Sequence, residues 1–138
     1  MIEYFNSNPT CKYFKSGNPK NWYINDSSVR AISKALDVSW EDAYNLLSDA
    51  GRKIYNVPTS KQALHEILIE NNYEFVTLGK PQRGSSRPLV SEFIENHKSD
   101  TIVLNLADYF VTAIDGDIYD VSDKCLKSSV YSYWIKKK

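Results

Sequence analysis

Two short segments hold most of the residues in this chain that could do chemistry: Asn25-Asp26-Ser27-Ser28-Val29-Arg30-Ala31-Ile32, and the run from Tyr109 to Asp120 with Asp115-Gly116 near its middle. In the first, the Ser27 hydroxyl stands where a helix begins, and a nucleophile at that place is helped by the positive end of the helix dipole. In the second, Asp115-Gly116 between two β-rich runs predicts a two-residue hairpin turn. Position 114 then pairs with 117 and 111 with 120, so Tyr109 and Asp120 point to the same side of the sheet as diagonal neighbours. A base and the carboxylate that orients it need that relation. Tyrosine, with an ordinary pKa of about 10, is nevertheless a poor base for a serine hydroxyl at neutral pH.

Each candidate also has a simpler account. Ser27 or Asp26 can cap the helix by accepting backbone N–H bonds. Tyr109 can be an aromatic strand residue that fills a cleft, or a ligand contact. Asp120 can pair with Arg30, bond the Tyr109 hydroxyl or stay solvated. Arg30, one turn along from Ser27, can be a structural ion-pair partner or a substrate clamp. Asn21 and Asn25 precede the helix where an oxyanion-type donor would lie, and Asn is common in such turns in any case. The loop from Gly79 to Pro88 carries Lys80, Arg83 and Arg87 and no acid, which suits either an anionic ligand such as a nucleotide or a solvated connection. It lacks the Gly-Lys-Ser/Thr ending of a phosphate-binding loop. His65 lies inside a helical pattern and His97 at the end of another; neither has a second ligand at metal spacing, so no metal site is expected. Cys11 and Cys125 lie far apart with no Cys-x-x-Cys spacing, so free thiols are expected, and no cofactor is indicated.

The elements that must position these residues follow from pattern and turn chemistry. Residues 6 to 21 are rich in Asn, Pro and Gly and predict an extended arm, placed in the domain as 1–21. A helix follows from Asp26 or Ser27 with Val29, Ile32, Ala35 and Leu36 on one face. Ser39 with Asp42 predicts the cap of a second helix through Leu47, with Gly51 at or near its end. Thr59 with Gln62 predicts the cap of a third, stopping at Asn71-Asn72. Strands are expected over 73–78, 101–106 and 129–135 besides the hairpin, and a short helix over 89–97. Helices first and an antiparallel sheet second make this an α+β fold.

At 138 residues the chain is long enough for one domain with a continuous core. Its 17 basic and 17 acidic residues cancel, which argues against an acidic mimic of nucleic acid and equally against general nucleic-acid binding. Ten Tyr and three Trp suit core packing, and an exposed subset would suit a contact surface. No apolar run is long enough to span a bilayer, and the N-terminus has no signal-type stretch, so no membrane partner and a cytoplasmic location are expected.

The two segments resemble those of small papain-like cysteine peptidase-like proteins, which are frequent in phages and bacterial mobile elements. Asp26, Arg30, Ala31 and Ile32 match an Asp-Cys-x-x-Arg-Ala-Ile stretch; Asp115, Gly116, Ile118, Tyr119, Asp120 and Asp123 match the turn after a Gly-His strand; Val130, Tyr131, Tyr133 and Trp134 match the closing strand. The resemblance runs from about Asn18 to the C-terminus. It implies a papain-like layout, with N-terminal helices packed on a small antiparallel sheet. On it, Ser27 stands at the nucleophile position, Tyr109 at that of the histidine and Asp108 at that of the preceding glycine. Both catalytic residues are therefore missing, and the expected protein is a pseudoenzyme. It acts by binding a host protein or a small anionic ligand in the bacterial cytoplasm, for instance as a phage-encoded inhibitor of a bacterial defence system. The candidate contacts are Asn25, Asp26, Ser27, Arg30, Tyr109, Asp120, Lys80, Arg83 and Arg87. The rivals are a cysteine- or serine-type hydrolase of peptide or isopeptide bonds using residue 27, and a virion assembly protein.

Overall fold

The structure, a computed structural model, describes residues 4–5, 26–107, 109–120 and 124–138. Of the arm expected over 1–21, the described part is β1 (Tyr4–Phe5); the rest of it, with Cys11 and Asn21, lies outside the described residues, as do Asn25, Asp108 and Asp123. Three helices follow, α1 (Ser27–Leu36), α2 (Trp40–Ile54) and α3 (Lys61–Glu70). Then come β2 (Tyr73–Thr77), the short α4 (Val90–Phe93) with a 3₁₀ turn over Ile94–Asn96, β3 (Thr101–Leu106), β4 (Tyr109–Ile114), β5 (Asp117–Tyr119), a 3₁₀ turn over Lys124–Lys127, and β6 (Ser132–Lys136). The expected α+β class is met, and the helix expected over 89–97 is shorter and half 3₁₀.

The sheet runs β1-β5-β4-β3-β6-β2. Five strands pair antiparallel, while β1 lies parallel to β5 at the edge. β3 is central and apolar on both faces, as its run of Ile, Val and Leu requires. Val103, Trp134 and Phe110 face α1, α2 and α3, with Ile32, Leu47, Leu64 and Leu68 filling the space between. Ile102, Leu104, Val111, Ala113 and Ile118 face the other way, onto Val90, Phe93, Ile94, Cys125 and Val130.

Local chemistry accounts for most boundaries. Asp115 and Gly116 both take positive φ, 52° and 85°, which is the two-residue type I′ turn, and Ile114 pairs with Asp117 as its length demands. Ser39 caps α2, its Oγ accepting from the Asp42 N–H at 3.0 Å. The cap of α3 is Ser60, which accepts from the Ala63 N–H at 3.1 Å, one residue beyond the expected Thr59. Gly51 lies inside α2, which runs on to Ile54 and closes with Tyr55 in the left-handed region. Its lack of a side chain serves packing: a Cβ there would sit 2.6 Å from the Asn56 carbonyl oxygen. The last strand begins at Ser132, because Ser129 instead bridges to Leu89.

Candidate functional site

Asp26 occupies the N-cap position of α1, but its side chain does not cap. One carboxylate oxygen accepts from Arg30 Nε at 2.9 Å and the other from Trp40 Nε1 at 3.1 Å. Arg30 sits one turn into the helix and spends its other two nitrogens across the sheet. Nη1 donates to Asp120 Oδ1 at 2.8 Å and Nη2 to the Tyr109 hydroxyl at 3.1 Å. Tyr109 in turn donates to the same Asp120 oxygen. Tyr109 opens β4 and Asp120 follows directly on β5, so the hairpin supplies both partners and α1 supplies the cation between them. Asp120 therefore does two of the three things open to it: it pairs with Arg30 and holds the Tyr109 hydroxyl.

The cluster is dry. Relative exposure is 8% for Asp26, 5% for Arg30 and 1% for Asp120, so water does little to screen the charges. Burial opposes the charge on Arg30, but the bonds from Tyr109 and Asp120 outweigh it and its pKa lies above the ordinary value. Burial also drives the Tyr109 phenol upward, the bond to Asp120 adds to that, and Arg30 only partly offsets them. Tyr109 is thus a firmly neutral donor, less able to act as a base than a solvated tyrosine.

Ser27 is 4% exposed, and its Oγ accepts from the Phe110 N–H at 3.3 Å. The expected side-chain cap at Asp26 or Ser27 is therefore not formed: both side chains turn to other partners. The partner shown for the Ser27 oxygen is a backbone amide, which cannot take its proton. Thr112, which sequence reasoning missed, ties the same two elements one turn further along by donating from Oγ1 to the Ala31 carbonyl at 2.7 Å. Trp40 was missed as well. Nothing local marks either residue, since a threonine in a strand and a tryptophan at a helix start are each ordinary.

The basic loop is not part of this cluster. Lys80 and Arg87 line a groove of about 740 Å³ together with Lys61, Phe75, Tyr131 and Asn105, and that groove shares no residue with the Arg30 network. Arg83 is exposed and does not line it. The histidines are spent elsewhere: His65 Nδ1 accepts from Trp134 Nε1 at 3.0 Å, and His97 Nδ1 lies 3.0 Å from Asp100 Oδ2. The Asp100 carboxyl is held below the usual range, chiefly by the bond from His97. Among the described residues no group of three or more His, Cys, Asp or Glu gathers as metal ligands. No helix of the described residues is long and apolar enough to cross a membrane. Comparison of the chain with family models, curated proteins and solved structures finds no match.

Proposed function

We propose that this chain is a catalytically inactive papain-like protein that works by binding a host protein or a small anionic ligand. The observation that carries the reading is the closure of the Ser27–Arg30–Tyr109–Asp120 region on itself. Its guanidinium donates to both carboxylates and to the phenol, the phenol donates to Asp120, and the serine oxygen faces an amide. A hydrolase site keeps a nucleophile within reach of a base and of substrate. Here the hydroxyl is buried, and the residue at the base position is a phenol whose pKa is raised. The wider role, a phage-encoded inhibitor of a bacterial defence system acting in the host cytoplasm, follows from the kind of family the two segments resemble.

The test is the Ser27→Cys variant treated with a thiol-reactive probe at neutral pH. Labelling no faster than that of a solvent-exposed model thiol is expected, because the site offers neither access nor an imidazole to hold the proton. Rapid labelling, or peptide or isopeptide turnover by the wild-type chain that Ser27→Ala abolishes, would restore the hydrolase reading.

A further inference from the structure

The loop cations contrast with Arg30 in one respect that bears on binding. Every nitrogen of Arg30 is committed to a protein partner, whereas Lys61, Lys80 and Arg87 form no ion pair among the described residues. Arg87 Nε is a buried donor with no hydrogen-bond partner among them. These are the charged residues among the described lining of the groove. Like charges that line one groove repel, and an anion that joins them relieves the repulsion.

The groove walls are aromatic. The Arg87 guanidinium lies over the Tyr131 ring, 4.3 Å from its centroid, and the Lys61 ammonium over the Phe75 ring at 5.3 Å. Tyr131 remains 37% exposed. Lys61 is also the first residue of α3, where the helix dipole adds to its charge. The floor is polar: Thr77 pairs with Ser132 and Ser132 with Asn105, so three neighbouring strands present a row of small polar side chains on the helix-bearing face. Asn105 donates to the Ser132 hydroxyl at 2.9 Å.

We propose that this groove binds a nucleotide, with its phosphate among Lys61, Lys80 and Arg87, its ring against Tyr131, and the ring edge over Asn105 and Ser132. Phosphate chemistry suits the cations, and base stacking on an exposed aromatic ring suits Tyr131. The volume falls in the range of small-molecule sites. The proposal rests on reading the chain as a binder and names the ligand class and the place.

The test is titration calorimetry of the full chain with ADP, with inorganic pyrophosphate and adenosine as part-ligands, and with a deoxyadenosine tetranucleotide. ADP should bind more tightly than either part. Lys80→Ala, at an exposed loop position, should weaken it about fivefold, and Lys80→Ala with Arg87→Gln by tenfold or more. Tyr131→Leu should weaken ADP several-fold more than pyrophosphate; an equal loss of both would count against stacking on this ring. A tetranucleotide that binds better than ADP with the same dependence on Lys80 and Arg87 would identify the nucleotide as part of a strand; the reverse order would identify a free one. Absence of saturable ADP binding, equal binding of ADP and pyrophosphate, or indifference to the double variant would overturn the proposal. Those outcomes leave thiol reactivity at position 27 untouched, so failure here and failure of the inactive-site reading are separately visible.

Discussion

Replacing Arg30 with methionine keeps an unbranched chain along the α1 surface and removes the cation that joins Asp26 to Asp120. Three bonds go, at 2.9, 2.8 and 3.1 Å, and the carboxylates they served are left in place. The side chain of Asp120 is 1% exposed and that of Asp26 11%, so water cannot readily replace the guanidinium. Breaking a buried pair by removing one partner costs about 3–5 kcal/mol. That is a large part of the roughly 5–15 kcal/mol that holds a typical domain together. Urea unfolding followed by tryptophan fluorescence reads it directly. Adding Asp120→Asn to Arg30→Met removes the stranded charge and should return about 1–3 kcal/mol, although the same change in the wild-type background is destabilising. A cost below about 1 kcal/mol for Arg30→Met, or strict additivity of the two substitutions, would refute the picture of one interdependent buried network.

Gly51→Ala should destabilise by about 1–3 kcal/mol, although alanine is the better helix former by about 1 kcal/mol, because the new Cβ meets the Asn56 carbonyl oxygen at 2.6 Å and backbone must shift; a stabilised variant in the same urea assay would contradict this. The buried Tyr73 phenol, which donates to the Ala35 carbonyl at 2.9 Å, is pushed up to about 12 by burial. Its folded pKa exceeds the unfolded value of about 10, so ionisation opposes folding: stability is untouched by this group below about pH 10 and falls by about 2–3 kcal/mol as pH rises towards about 12. Tyr73→Phe should cost about 1 kcal/mol at pH 8 and flatten stability between about pH 10 and 12; an unchanged alkaline slope would count against it.

Much of this architecture is legible from neighbours in the chain. The β3 run, the Ser39 cap and the Asp115-Gly116 turn each depend on a few adjacent residues, and all three form as expected. The hairpin register holds from Ile114–Asp117 out to Thr112–Tyr119, and just beyond it Tyr109 and Asp120 meet through the hydroxyl bond. The errors are also local in origin. Thr59 and Ser60 offer nearly equivalent caps one residue apart, and the chain uses the second. Gly51 reads as a helix stop, while its role is to admit the Asn56 carbonyl against the last turn of α2.

The candidate site divides along the same line. Sequence by itself determined the α+β class, the helix start at Ser27, the hairpin, and the absence of a histidine at either of the two chemistry-bearing segments. Tertiary structure decided what those residues do. The Asp26 pair is a local one, four residues apart, but packing of α1 on β4 adds Tyr109 and Asp120, the latter ninety positions away. The same packing turns Ser27 from a cap into an acceptor for the Phe110 amide. The groove is of this kind too: Lys61, Arg87, Asn105 and Tyr131 belong to separate elements, and no spacing along the chain links them. Side-chain partners at such separations are set by the docking of whole elements, and that is governed by the summed burial of their apolar faces and leaves no local mark on the residues it brings together.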